Sequence, residues 1–311
     1  MFGLEKLLQK SIIKLVPATL SGTRVSLPVA DIAGKAPGPT LLVTAGMDGD
    51  EYAGIEAAYA IIEKYKDGDF TGRLVVLPIV NIFGFEHESS HNPKDKKLPK
   101  LIPVGTTNGT SSEMLVHWLI TTYASNAHAW IDLHGGALTE VVTPYVHCYT
   151  TGVVGSDTTT KNFHESLVNT LVLLTNAGRG SRARTLAQKG CTYILTESGG
   201  RGEVQKEDIE QHLLWVEALM QTLTMTPKQP ASKPSQTVIR KIHYHVATRA
   251  GIFRPSLPVK HTVVMGDVMG AESTYQNNAV KNVVALQSGI VLWQKRTIAM
   301  RKGDILFAIG Y

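Results

Sequence analysis

Short apolar runs alternate along this chain with stretches whose apolar residues recur at helical spacing. Residues 40–45 form a continuous apolar run that predicts a buried strand, and residues 52–62 have the spacing of a helix. The apolar run at 73–81 follows that helix in the manner of a βαβ crossover. Two further strands and one helix are predicted later in the chain, at residues 129–133, 191–196 and 209–220. The alternation predicts an α/β fold with a mainly parallel, twisted sheet and helices on both of its faces.

The composition changes near residue 224. Residues 224–237 are rich in Pro, Ser, Lys, Gln and Thr, which predicts a linker. Beyond it, short apolar runs at 262–267 and 289–293 lie between glycine turns and predict short strands. We therefore expect a first domain at 1–223 and a small all-β domain at 238–311.

Two polar segments in the first domain predict a functional loop and the start of a helix. Residues 84–109 form a long polar stretch with three prolines, and a loop of that length in a compact domain is usually functional. Thr110 and Glu113 then have the spacing of a capping box, which predicts the start of a helix.

Four residues with acidic or imidazole side chains lie just after predicted strands. Asp48 and Glu51 follow the first strand, and His134 and Glu197 each follow a later one. Open α/β folds keep their sites where the carboxyl ends of strands meet, so these side chains are candidates for a shared site. The spacing of Asp48 and Glu51 is also that of a helix capping box. Glu197 precedes Ser-Gly-Gly, so its carboxylate could instead accept hydrogen bonds within a turn.

Residues 38–52 resemble the signature of the succinylglutamate desuccinylase/aspartoacylase family, zinc-dependent deacylases related to the metallocarboxypeptidases. The family signature reads G-x-H-G-D/N-E, and its His and Glu are the first two zinc ligands. Glu51 matches this Glu, whereas Asp48 stands at the His position. The segment ending at His134 resembles the family's D-L-H, whose His is the third ligand. The segment beginning at Thr196 resembles its E-x-G, which makes Glu197 the counterpart of the general base.

The resemblance implies a metal-dependent amide hydrolase that acts on a small N-acylated amine or amino acid. Asp48, Glu51 and His134 would hold one divalent metal ion, and Glu197 would accept the proton of a water that the metal activates. The products would be a carboxylate and a free amine. Zinc is the ion that the family implies. Carboxylate favours harder ions than imidazole does, so Asp48 makes manganese or iron plausible as well.

Substrate recognition departs from the family pattern in the long loop. His91 stands where the family has a first Arg, and Pro99-Lys100 replaces the Asn-Arg of its D-L-N-R segment. A lysine cannot reproduce the bidentate clamp of a guanidinium, so N-acetylaspartate and succinylglutamate are poorly matched substrates. His91, Lys100 and Arg182 are the candidate substrate-binding residues.

Two other functions remain open from the sequence. One is a metallocarboxypeptidase that acts on a peptide, although the missing arginines disfavour recognition of a terminal carboxylate. The other is a catalytically degenerate protein of the same fold that binds a small molecule. Retention of Glu51, His134 and Glu197 together disfavours the second alternative.

Composition and charge indicate the expected partners and cellular location of the protein. The net charge of +5 comes from scattered basic residues with one denser patch in the long loop, and no nucleic-acid-binding motif accompanies it. No apolar run reaches the roughly 18 residues of a membrane span. Cys148 and Cys191 cannot form a disulfide framework and are expected in the core. We expect a cytoplasmic protein without nucleic-acid or membrane partners, and a homo-oligomer stays open.

Overall fold

A computed structural model of the chain describes residues 12–227, 235–276 and 280–311. The described residues form strands β1 (Ile13–Leu20), β2 (Thr23–Ala33), β3 (Ala36–Ala45), β4 (Thr71–Leu77), β5 (Ala129–His134), β6 (Glu140–Val142), β7 (Tyr145–Thr150), β8 (Val168–Asn176), β9 (Thr192–Glu197), β10 (Ser235–Ile239), β11 (Ile242–Val246), β12 (Gly251–Pro255), β13 (Thr262–Val263), β14 (Val268–Ser273), β15 (Lys281–Val284), β16 (Gly289–Lys295), β17 (Ala299–Met300) and β18 (Ile305–Gly310). The helices are α1 (Tyr52–Tyr65), α2 (Ile82–Glu86), α3 (Ser111–Thr122), α4 (Val154–Ser166), α5 (Arg182–Ala187) and α6 (Lys206–Thr222), with two short 3-10 helices at Pro99–Leu101 and Ala124–Asn126.

A large nine-stranded sheet forms the centre of the fold, in the order β1-β2-β4-β3-β5-β9-β7-β8-β10. Strand β3 is parallel to both of its neighbours, β4 and β5, and β5 is parallel to β9. Antiparallel pairs occur between β1 and β2, β2 and β4, and β7 and β9. The prediction of a mainly parallel sheet is therefore confirmed, with antiparallel strands at one edge and beside β9.

Helices cover both faces of this sheet, as the sequence predicts. Leu41 and Val43 of β3 face one hydrophobic core, which α1, α4 and α6 complete. Leu42 faces the other core, which α3 and α5 cover. This alternation follows from the two-residue period of a strand, so a continuous apolar run supplies both cores. Cys148 and Cys191 are buried and free, as expected.

The two capping boxes considered from the sequence have different outcomes. Thr110 and Glu113 do form a capping box at the start of α3. At α1 the residue before the helix is Glu51, and its side chain makes no capping hydrogen bond. The capping-box interpretation of Asp48 and Glu51 is therefore wrong, because neither carboxylate caps this helix.

Beyond the large sheet, two smaller antiparallel sheets follow. One has the order β11-β18-β16-β13, with β6 of the first part of the chain also paired to β16. The other has the order β15-β14-β12-β17. The strand predicted at 262–267 is shorter than expected, because the chain turns at Gly266, whose φ is +99°.

The segment predicted as a linker, 224–237, lies partly outside the described residues, at 228–234. Its last residues, from Ser235, already belong to β10, which pairs in parallel with β8 in the large sheet. Within the described ranges, no helix is long and apolar enough to cross a bilayer.

Candidate metal centre

The candidate site lies at the carboxyl ends of three adjacent parallel strands, β3, β5 and β9. Asp48 and Glu51 follow the end of β3, His134 is the last residue of β5, and Glu197 is the last residue of β9. His134 and Glu197 are direct partners in the register of β5 and β9. Because each residue ends or follows its strand at the same edge of the sheet, the fold brings all four to one place.

Asp48 and Glu51 lie in and just after a tight turn that follows β3. Gly46 begins the turn with φ +64°, a conformation that favours glycine. The backbone N–H of Asn81 donates to the Gly46 carbonyl at 2.8 Å. A Cβ on Gly49 would lie 2.1 Å from the backbone N of Phe85, so only glycine lets the turn pack against α2.

Asp48, Glu51 and His134 form a compact buried cluster. Each offers one ligand atom, and these atoms all lie within 4.8 Å of one another. His134 Nδ1 is 2.8 Å from Glu51 Oε2, which also accepts the backbone N–H of Gly135 at 3.1 Å. Among the described residues, Asp48 Oδ1 is buried without a hydrogen-bond partner.

The other nitrogen of His134 faces a buried carboxylate. Nε2 lies 3.2 Å from Asp132 Oδ2, and that oxygen accepts a hydrogen bond from the Tyr193 hydroxyl at 2.9 Å. Asp132 Oδ1 accepts the Thr44 hydroxyl at 2.6 Å. A metal-ligating histidine commonly has its second nitrogen beside a carboxylate. Here Nε2 is in close contact with Asp132 but lacks the geometry of a hydrogen bond. With Nε2 directed at Asp132, Nδ1 is the nitrogen directed at the cluster.

This donor set fits a divalent metal ion. One imidazole and two carboxylates converge, and the imidazole ring is oriented from behind by Asp132. Three protein ligands are the number that catalytic zinc sites use, and oxygen-rich sites also suit manganese or iron. The cluster could therefore hold a metal.

Lys100 is part of the same cluster. Its ammonium forms an ion pair with Asp48 Oδ2 and lies 3.7 Å from Glu51 Oε1. The residue is carried by the 3-10 helix Pro99–Leu101, and its side chain is only 32% exposed. Of the three residues predicted to bind substrate, Lys100 is the one that the structure brings to the candidate ligands.

Arg182 and His91 do not contact the three candidate ligands, although Arg182 lies 3.7 Å from Asp132 behind them. The Arg182 guanidinium is buried and donates to the carbonyls of Pro99, at 3.0 Å, and Ile102, at 2.7 Å. It therefore holds the segment that carries Lys100. His91 is exposed, and its backbone N–H donates to the Ser89 hydroxyl. For both residues, contact with a substrate stays a prediction.

Burial and crowding of charges shift the titration of the site. Burial, followed by the charge of Glu51, raises the pKa of Glu197 to about 8 and that of Asp48 to about 7. Burial acts to lower the pKa of Lys100, but the charges of Asp48 and Glu51 outweigh it and raise that pKa well above its ordinary value. Burial and the neighbouring carboxylate thus favour the protonated form of Glu197 in the metal-free site.

Two tyrosines near Glu197 had no signal in the sequence. Tyr145 is the register partner of Glu197 in the antiparallel pair of β7 and β9. Tyr244 comes from β11, far along the chain. Burial, followed in each case by the charge of Glu197, raises the pKa of both hydroxyls, so both lie within electrostatic reach of that carboxylate. The pairing of β7 with β9 places Tyr145 there.

Comparison with known proteins shows which family the chain belongs to. Residues 37–223 match the succinylglutamate desuccinylase/aspartoacylase catalytic domain. The N-alpha-acetyl-L-2,4-diaminobutyric acid deacetylase of Halomonas elongata is 28% identical over 122 residues, which is 39% of this chain and 35% of that protein. The match thus spans about a third of that relative's length.

Solved structures share the fold over nearly the whole chain. A succinylglutamate desuccinylase/aspartoacylase from Rhodobacter sphaeroides superposes with a TM-score of 0.85 at 21% identity, covering 96% of this chain and 94% of that one. The product-bound structure of the ectoine utilization protein EutE (DoeB) from Ruegeria pomeroyi superposes with a TM-score of 0.81 at 18% identity. The match covers 97% of this chain and 99% of that one.

Proposed function

From the membership of this chain in the succinylglutamate desuccinylase/aspartoacylase family, we propose that it is a metal-dependent amide hydrolase. Its substrate would be a small N-acylated amino acid or amine, and its products a carboxylate and a free amine. The observation that carries the proposal is the convergence of Asp48, Glu51 and His134 at the ends of adjacent strands, with Glu197 as the register partner of His134.

Each side chain has a distinct role in this proposal. Asp48, Glu51 and His134 would hold the metal, which when bound would polarise the amide carbonyl and make a water more acidic. Asp132 keeps the His134 ring oriented from the side opposite Glu51. Glu197 accepts the proton of the attacking water and returns it to the departing amine. Its place at the end of β9, as the register partner of His134, puts the carboxylate beside the proposed metal and suits a group that does both.

The relatives suggest which substrates to test first. The Halomonas elongata protein is named as a deacetylase of an Nα-acetylated diamino acid. We therefore propose N-acetylated amino acids, including N-alpha-acetyl-L-2,4-diaminobutyric acid, as the leading substrate class. Lys100 and His91 are the proposed contacts from the long loop, whereas the buried hydrogen bonds of Arg182 support a positioning role.

The experiment is an amine-release assay on a panel of N-acyl amino acids and N-acyl amines. The protein is purified without added metal, analysed for metal, and assayed as purified, after chelation, and after reloading with zinc or manganese. We expect hydrolysis that chelation abolishes and reloading restores. Absence of hydrolysis with every substrate and metal would contradict the proposal.

One observation favours a second candidate, a protein of this fold that binds a small molecule without hydrolysing it. The Lys100 ammonium already neutralises charge at Asp48. Saturable binding of a panel member by the metal-free protein, measured by calorimetry, together with no turnover with any metal, would support this candidate instead.

A further inference from the structure

The Lys100 ammonium contacts the same carboxylates that are proposed to bind the metal. It forms an ion pair with Asp48 Oδ2 and lies 3.7 Å from Glu51 Oε1. Both carboxylates are almost fully buried. The two departures from the family pattern, an acid at the His position and a lysine at the Arg position, are therefore in direct contact.

The backbone around Lys100 is fixed in place. Arg182 binds the carbonyls on either side, at Pro99 and Ile102. Earlier in the loop, Asp95 accepts the backbone N–H of Ser112 at 2.7 Å, which ties the loop to the start of α3. Lys100 is thus held at the cluster by its own segment, unlike a lysine that reaches in from a mobile surface.

Charge dictates how such a lysine and a metal ion interact. Two carboxylates buried together repel each other and lack solvation, so a nearby cation stabilises them. A divalent ion needs the same oxygen atoms and repels an ammonium a few ångströms away. The oxygens of Asp48 therefore cannot serve Lys100 and a metal ion equally well at the same time.

We propose that Lys100 is a tethered counter-ion of the metal centre, which pairs with Asp48 and Glu51 in the metal-free protein and is displaced when a divalent metal binds. This inference rests on the proposed metal site. Its consequence is that Lys100 weakens metal affinity and stabilises the fold without metal. Replacement of Lys100 should make the same ligands bind metal more tightly.

The first test compares metal affinity in the full chain. Zinc and manganese are titrated into the chelator-stripped parent, Lys100→Met and Lys94→Met, in the presence of a competing chelator. Lys94 lies on the same loop and is exposed, so its replacement removes the same charge away from the site. We expect Lys100→Met to bind metal on the order of tenfold or more tightly than the parent, and Lys94→Met to stay within about twofold.

A second measurement uses the parent and does not depend on how the variant folds. The metal-free and metal-loaded protein are treated with formaldehyde and a mild reductant, and lysine methylation is read by peptide mass spectrometry. An ammonium held by Asp48 reacts slowly, so metal binding should accelerate methylation of Lys100 several-fold while Lys94 stays constant.

The outcomes separate this inference from the proposed function. Equal or weaker metal binding by Lys100→Met, or Lys100 methylation that metal leaves unchanged, would overturn the counter-ion role alone. Failure of the parent and of Lys100→Met to bind either metal would overturn the metal site and this inference with it.

Discussion

Glu197 and His134 are direct partners in the parallel ladder between β9 and β5. The backbone N–H of Ser198, the next residue, donates to the His134 carbonyl at 3.1 Å, so the pairing continues past the strand ends. Because a change in their spacing would require a slip of the whole strand register, the proposed proton acceptor and metal ligand are held rigidly together.

Removal of His134 should abolish stoichiometric metal binding. His134→Ala leaves two carboxylates and no imidazole in the cluster, which is one ligand short of a catalytic site. Metal per chain after dialysis, measured by mass spectrometry, should fall from about one to near zero. His261→Ala, an exposed histidine in the C-terminal part, is the control and should keep the parent's metal content. Full retention of metal by His134→Ala would show that His134 is not a ligand.

Restoration of the family's residue at position 48 should change metal preference. Asp48→His replaces a hard carboxylate by imidazole and raises the charge of the loaded site, so selectivity should move toward zinc over manganese. It also removes the ion-pair partner of Lys100. The ratio of the zinc and manganese dissociation constants, measured by competition with a chelator, tests this change in selectivity. A variant that folds and prefers manganese more than the parent does would contradict the role of Asp48 as a ligand.

Arg182 should matter for stability and for the order of the long loop. Its buried guanidinium donates to three loop carbonyls and lies 3.7 Å from Asp132. Arg182→Met leaves these groups without their cation, so we expect a loss of about 3–5 kcal/mol in the free energy of unfolding. Arg182→Lys should not restore it, because a lysine cannot donate in a fork. Urea unfolding gives the energy, and hydrogen exchange should show faster opening of residues 99–103. An unchanged midpoint would contradict this role.

Asp95 should give the loop a pH-dependent contribution. Burial acts to raise its pKa, but hydrogen bonds from Ser112, Thr110 and Lys97 outweigh it and lower the pKa below the ordinary 3.8. A lowered pKa in the folded state means that the ionised form stabilises the fold above about pH 4 and that this contribution is lost as pH falls through the folded value. Asp95→Ala should cost about 1 kcal/mol at neutral pH. Urea unfolding should show a smaller cost at about pH 3, and a constant cost would contradict the linkage.

The sequence predicts those parts of the fold and site that depend on short-range pattern. Apolar runs locate the strands of the central sheet, and the residues that follow them include Asp48, Glu51, His134 and Glu197. What it misses depends on pairing between distant segments. The approach of Tyr244 to Glu197 requires the small sheets to lie beside the large one, which no local pattern encodes.

Lys100 shows the same limit at the level of one side chain. The sequence contains two departures from the family's motifs, at positions 48 and 100, and nothing in the sequence connects them. Their contact depends on a loop whose course is set by the hydrogen bonds of Arg182, a residue that is about eighty positions away. A charged residue in a polar loop is usually solvated, so its pattern favours the surface rather than the site.

The rate of amide hydrolysis by Glu197→Gln, on whichever panel substrate the parent cleaves, decides whether Glu197 is the general base. Glutamine keeps the shape of the side chain and an acceptor oxygen but cannot take up a proton at neutral pH. General acid–base catalysis is worth typically about 10²–10⁴-fold, so kcat should fall by at least about a hundredfold. Metal content should stay near that of the parent, because Glu197 is not a proposed ligand. A rate within a few-fold of the parent's, with metal retained, would show that Glu197 is not the general base.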